Sequence, residues 1–276
     1  MSNKPKVAIQ GIPGSFHHQV ALNEFGTEVD ILYKDSFEEV AQAVENEEAS
    51  HGVIAIENSI AGAILPNYDL IDRHGLSISG EHYLPISHQL MALPGQKIED
   101  IVEVQTHPMA LLQCKVFLKK YPQMKQLAGI DTASVAQDIS KKKPLGKAAI
   151  AGRIASEIYG LEILAEDIQT VKSNFTRFIL LEKKAAIQQQ YHQKASIKVT
   201  IENRSGGLAK MLTCMHEEGL DLSKIQSIPV IEKPWEYAFF IDAVFEKIAL
   251  FEHCMKRIQS EFGEVKIFGT YKVGKK

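Results

Sequence analysis

The stretch "VAIQGIPGSF", Val7 to Phe16, decides the reading of the fold. Val7 to Ile9 is an apolar run of the kind buried in a parallel sheet, Gly11 to Gly14 is turn chemistry, and Ser15 suits a helix N-cap. Phe16, Val20, Ala21 and Phe25 then recur at helical spacing until Gly26 stops the helix. The stretch "VEVQTHPMAL", Val102 to Leu111, repeats the order of strand, glutamine, turn with proline, and helix. One reading is that any βα junction looks like this. The other is two lobes of like construction, each presenting a helix N-terminus, where free backbone N–H groups hold anions.

Working outward, "HGVIAI" (51–56) reads as a second strand after a polar helix around Phe37 to Glu47. Further strands are expected at Ser77 to Gly80, Ile101 to Gln105, Ala148 to Ala151 and Phe178 to Leu181. Short apolar strands alternating with amphipathic stretches predict an α/β domain on largely parallel sheets over residues 1–184. The polar "EKKAAIQQQYHQKAS" (182–196) contains the expected linker, 185–194. A second domain, 195–276, follows as strand, helix, two strands, helix and strand. That is the split βαβ, ferredoxin-like α+β order. Its first helix sets Leu208, Met211, Leu212 and Met215 on one face.

With 45% hydrophobic and 24% charged residues, the chain has the composition of a soluble globular protein. A net charge of −3 with interspersed signs lacks the basic footprint that nucleic acid or an anionic membrane requires. No signal-peptide core or long apolar span occurs, which predicts a cytoplasmic protein. Cys114, Cys214 and Cys254 lack CxxC spacing and read as buried reduced thiols. The histidines show no HExxH pattern, and Gly11-x-x-Gly14-Ser15 has neither dinucleotide nor P-loop spacing, so no metal or other cofactor is expected.

Three constellations carry chemistry. Glu57-Asn58-Ser59 ends the second strand, where α/β sheets bind ligands; the alternative is that Asn58 or Ser59 caps the turns that follow. In "QTHPMALLQC", Thr106 sits at an N-cap, Pro108 in the first turn, and Gln113 near the same helix face, so Thr106 and Gln113 face one ligand or are a cap and a solvated side chain. In "NFTRFILL" (174–181), a hydroxyl and a cation stand at the entrance of a buried strand. Arg177 either pairs with Glu57 or another carboxylate, or offers a guanidinium fork to a carboxylate substrate, with Thr176 reaching the reacting atom.

Together "GIPGSF", "GVIAIENSIAG", "LPISHQLM", "THPMALLQC", "DTASVAQ", "AAIAGRIASEIYGL" and "NFTRF" resemble the prephenate dehydratase family, followed by an ACT regulatory domain. The resemblance implies two α/β lobes around a cleft, in the manner of periplasmic binding proteins. It implies conversion of prephenate to phenylpyruvate, carbon dioxide and water in phenylalanine biosynthesis. Asn58, Thr106, Gln113 and Thr176 match the family's catalytic positions, with Gly14, Ser15, Glu57, Ser59, His107, Arg177 and Phe178 around the substrate. Ser15 stands for the family's threonine, Thr106 for its serine and Met109 for its glutamine; only the last loses a polar group.

The ACT resemblance implies phenylalanine as an allosteric ligand at Gly206, Gly207, Leu208, Gln226 and Ser227, and a homodimer or homotetramer through these domains. Here Gln226 and Ile228 replace a glutamate and an arginine of the family pattern. The competing readings are arogenate dehydratase, whose substrate differs by one amino group, and a non-catalytic sensor of small acids.

Overall fold

The computed structural model describes residues 4–184, 192–202, 204–229 and 237–275. Most of the expected linker, 185–194, lies outside the described residues. The chain begins with β1 (Lys6–Gln10), α1 (Phe16–Phe25), β2 (Asp30–Lys34), α2 (Phe37–Glu45), β3 (His51–Asn58), β4 (Gly62–Ala63), α3 (Leu65–Arg73) and β5 (Ser77–Pro85). It continues with β6 (Gln89–Ala92), β7 (Glu103–Thr106), α4 (Pro108–Gln113), α5 (Lys115–Leu118), β8 (Lys125–Ala128), α6 (Thr132–Lys142), β9 (Lys147–Ala151), α7 (Arg153–Tyr159), β10 (Glu162–Ala165) and β11 (Phe175–Glu182).

These strands make two sheets, β2-β1-β3-β11-β5 with β4 on β3, and β8-β7-β9-β6-β10. The orders are topologically alike. Each has a second, first and third strand, then one that arrives from elsewhere in the chain, then a last. The chain passes between the sheets twice, from β5 to β6 and from β10 to β11. The two similar stretches of sequence are this repetition, since β1–α1 and β7–α4 occupy the same place in their sheets. Parallel pairing of β1 with β2, and of β7 with β8 and β9, requires the crossover helices that the sequence supplies.

Burial explains the composition of the strands. Three of the five residues of β9 are alanine, and both its faces are covered at close range: Ala148 and Ile150 pack with Ala110, Cys114 and Leu118, whereas Ala149 and Ala151 pack with Ala136, Ile139 and Ala155. Ser15 caps α1 by accepting from the backbone N–H of His18 at 3.2 Å, and Gly26 ends it at φ 83°.

The C-terminal elements are β12 (Lys194–Ile201), α8 (Gly207–Glu217), β13 (Asp221–Pro229), β14 (Tyr237–Val244), α9 (Ile248–Glu261) and β15 (Gly263–Tyr271). They form an antiparallel sheet ordered β13-β14-β12-β15. Strict alternation along β12 sends Ala195, Ile197, Val199 and Ile201 into one core with Met211, Met215, Phe251 and Ile258. Leu208 and Leu212 lie against that core, half-buried.

The chain packs as two compact units. One consists of Met1–Val40, Val53–Ala63 and Tyr83–Phe178, the other of Ala41–Gly52, Ile64–His82 and Ile179–Lys276. Within the second, the buried Lys194 ammonium holds Glu81 at 2.8 Å, Tyr68 packs edge-on to Phe240, and Asp72 at the end of α3 meets both Lys198 and Lys266.

Candidate active site

β3 ends and β11 begins side by side. The Ser59 N–H donates to the Phe175 carbonyl at 2.8 Å, and the Phe175 N–H donates to Ser59 Oγ at 2.9 Å. This clamp aligns Asn58 with Thr176. Asn58 Oδ1 accepts from the N–H groups of Ile60 and Ala61, both at 3.0 Å, which fixes the amide orientation. Nδ2 must then face the start of β11, where its two hydrogens are shared among three acceptors: Asn174 Oδ1 at 2.8 Å, Thr176 Oγ1 at 2.9 Å and, at longer range, the Phe175 carbonyl at 3.2 Å. The Thr176 oxygen is thus an acceptor, and its own proton is directed elsewhere. Asn58 therefore caps the turn that follows β3, as the second reading of this position has it, and is also a hydrogen-bond partner of β11. It does not cap α3, whose N-cap Ile64 makes no side-chain bond.

Strand alternation places Thr176 and Phe178 on one face of β11 and Arg177 on the other. Arg177 is 3% exposed as a side chain and pairs with Glu57 at 3.4 Å. Of the two readings of Arg177, the ion pair is the one seen; the guanidinium lies in the interior beside Glu57 rather than open as a fork. Phe178 is buried, with its ring set edge-on to His17 at 4.9 Å.

In the other sheet the N-cap expectation is corrected. His107, exposed, caps α4 by accepting at Nδ1 from the Met109 N–H, while Thr106 is the last residue of β7. Thr106 is fully buried, and its hydroxyl donates to the Ile150 carbonyl at 2.6 Å. It ties β7 to β9 instead of facing a ligand with Gln113. Gln113, half-buried at the end of α4, bonds through Oε1 to His88 Nε2 at 2.8 Å.

The first turn of α1 lies beside both clusters. Phe16 meets the His88 ring at 5.8 Å, and its neighbour His17 meets Phe178. Packed also against Phe37, His17 is held at a pKa of about 4 by burial and is neutral. Gly14, at φ +87°, lets this turn approach α7: a Cβ there would stand 3.1 Å from the Ala155 Cα. The contact is reinforced by the Tyr159 hydroxyl, which donates to the Pro13 carbonyl at 2.5 Å. The first turn of α1 is thereby held between the ring of His88, which bonds Gln113, and the ring of Phe178, two residues beyond Thr176.

Sequence reasoning missed Asn174 and His88 as members of the site. Asn174 stands two residues before Thr176 and is fully buried; His88 lies within "LPISHQLM", where no metal-ligand spacing or other signal marks it. Among the described residues, no group of three or more His, Cys, Asp or Glu is placed to hold a metal. The three cysteines are free and buried, with burial pushing Cys114 and Cys254 up to about 12.

Gly206 precedes α8 in the left-handed region at φ 77°, and Gly207 begins the helix. Gln226 and Ser227 lie on the edge strand β13, near the end of the sheet at which β12 runs out towards Gly206. Gly207 lines a cleft of about 470 Å³ with Arg204, Lys210 and Phe262, whereas Leu208 turns inward.

The family model for prephenate dehydratase matches residues 7–186. The chain is 35% identical over 287 residues to arogenate dehydratase/prephenate dehydratase 1, chloroplastic, of Arabidopsis thaliana, covering 98% of this chain and 72% of that protein. Its fold is that of a prephenate dehydratase from Arthrobacter aurescens solved in complex with L-Phe (TM-score 0.85, 26% identity, 97% and 90% of the two chains). The same fold occurs in GqqA, described as a quorum-quenching acylase (TM-score 0.88, 24% identity, 97% and 98%).

Proposed function

The chain belongs to the prephenate dehydratase family, and from that premise we propose how its residues turn prephenate into phenylpyruvate, carbon dioxide and water. The observation that carries the reading is the donation from Asn58 Nδ2 to Thr176 Oγ1 at 2.9 Å. Loss of the ring hydroxyl and the ring carboxylate creates an aromatic ring, so the reaction is downhill and consumes one proton. Thr176 delivers that proton to the departing oxygen. An alcohol is a weak acid, and the Asn58 amide stabilises the charge left on Thr176 as the proton moves. Proton transfer of this kind contributes about 10²- to 10⁴-fold, and holding the dianion in one conformation supplies the rest.

Gln113 donates to the departing oxygen from the opposite lobe. The N–H groups of the first turn of α1, shaped by Gly14 and Ser15, take a substrate carboxylate, as does the turn capped by His107. Glu57, Ser59, Arg177 and Phe178 set the position of the strand that carries Thr176. Thr106 supports the base of α4. No cofactor enters any of these steps. Three buried free thiols support a reducing, cytoplasmic setting.

The C-terminal module acts in this reading as an ACT domain that binds phenylalanine at Gly206, Gly207, Leu208, Gln226 and Ser227, with two or four copies joined through it. The βαββαβ order and the cleft at Gly207 support it. The test is phenylpyruvate release from purified protein given prephenate, with arogenate in parallel and phenylalanine titrated. Turnover of prephenate suppressed by phenylalanine supports both assignments. Preference for arogenate would change the substrate, and turnover indifferent to millimolar phenylalanine would remove the regulatory role.

A further inference from the structure

His88 is 2% exposed and sits where three elements meet. Its backbone N–H donates to Gln169 Oε1 at 2.9 Å, its carbonyl accepts from the Ile168 N–H at 2.9 Å, and the edge of Phe16 packs on its ring. The ring cannot turn freely, so its Nε2 is aimed at Gln113 Oε1, 2.8 Å away. The other ring nitrogen, Nδ1, is buried with no hydrogen-bond partner among the described residues. Burial lowers the pKa of the imidazole against a smaller opposing effect of Gln113, so one nitrogen carries a proton and the other a lone pair.

Two arrangements satisfy this geometry. If the proton is on Nε2, the imidazole donates to Gln113 Oε1 and Nδ1 is an unpaired acceptor. If it is on Nδ1, the Gln113 amide must turn over to donate to Nε2, and an N–H donor is stranded in the interior. Orphaned buried N–H groups are rarer and costlier than under-used acceptors, which selects the first arrangement. The Gln113 oxygen is then occupied, and its NH₂ group is left to face outward from the half-buried end of α4.

We propose that His88 is the positioning residue that orients Gln113, making it a donor towards the substrate by holding its oxygen. This rests on the reading of Gln113 as a donor to the departing oxygen. His88 touches no reacting atom; it acts through Gln113 alone, and Phe16 carries its placement to the first turn of α1.

The test is a cycle of His88→Leu, Gln113→Ala and the double variant, with His88→Gln as the conservative change and thermal melting as the check on folding. His88→Leu is expected to lower kcat by about 10- to 100-fold, within the loss caused by removing one positioned donor, with little change in KM. His88→Gln, which keeps an N–H at similar reach, is expected to recover most of it. In the Gln113→Ala background, His88→Leu is expected to cost nothing more. Nitrogen NMR of histidine-labelled wild-type protein is expected to find the proton on Nε2. Equal losses from His88→Leu in both backgrounds would overturn the positioning role alone. Undiminished turnover in Gln113→Ala would overturn the reading beneath it, and a proton on Nδ1 would overturn the orientation whatever the kinetics.

Discussion

The side-chain nitrogen of Asn58 donates to the hydroxyl oxygen of Thr176 at 2.9 Å, joining the end of one strand to the start of a neighbour 118 residues later. The direction of that bond is fixed from behind, because the Asn58 oxygen is held by two backbone N–H groups. A hydroxyl that receives a donor is a better acid than one that does not, and the arrangement exists before substrate arrives.

Asn58→Asp tests the direction of the bond. The carboxylate still accepts from Ile60 and Ala61 but has no proton for Thr176. Turnover should fall by about 10²- to 10³-fold, and the melting temperature should drop modestly because the new oxygen also faces the Phe175 carbonyl. Steady-state kinetics beside thermal melts would show it, and a variant retaining over half its activity would contradict the assignment.

Arg177 should register in stability rather than in substrate affinity. Its guanidinium is interior and paired with Glu57 on the face of β11 away from Thr176. Removing one partner of a buried ion pair costs at most about 3–5 kcal/mol; Arg177→Leu takes the guanidinium from Glu57 just as Arg177→Ala does but keeps apolar bulk that alanine lacks. Urea denaturation should rank Arg177→Ala below Arg177→Leu, and both should keep a KM close to that of the wild type. A KM raised tenfold in a stable Arg177→Leu protein would return the guanidinium to the substrate.

The second lobe shows why such features were only partly legible. Strands bounded by turn residues, such as β1 and β3, stood out in the sequence, as did α1 between Ser15 and Gly26. The strands β2, β6, β8 and β10 are four or five residues long and carry no strong period, so only sheet pairing defines them. The polar triplet after β3 was visible because it interrupts an apolar run. His88 was not, since a histidine at the edge of a short strand reads the same whether it supports a glutamine or fills space. Thr106 misled for a related reason: it and His107 both have side chains that can cap, and only the pairing of β7 with β9 decides which is in the sheet.

Gly14→Ala should damage the contact between α1 and α7. A left-handed φ of +87° and a Cβ 3.1 Å from the Ala155 backbone both oppose the substitution. The strain alone is about 1–2 kcal/mol, and relief by moving the turn would displace the first turn of α1 from His88 and Phe178. Lower melting temperature together with a raised KM is the expected pair of results; loss of stability with unchanged KM would mean that the turn does not touch substrate.

Stability should depend on pH through His17. Folding lowers its pKa from 6.5 to about 4 through burial against Phe37 and Phe178. Between those values the unfolded chain binds a proton that the folded chain does not, so stability falls as pH drops from 6.5 towards 4 and is level above 6.5. His18, His88 and His192 are shifted the same way by burial and add to the slope. Urea midpoints at pH 5 and pH 7.5 should differ less in His17→Gln than in the wild type; an unchanged difference would place the proton uptake elsewhere.

The most direct test of the account is turnover of saturating prephenate by Thr176→Ala and Thr176→Ser, with prephenate binding measured separately by calorimetry. The serine variant keeps the hydroxyl beside Asn58 and should retain most of the activity, while the alanine variant should bind prephenate normally and release phenylpyruvate at least about 10²-fold more slowly. Turnover by the alanine variant within a few-fold of the wild type would show that the proton comes from another group.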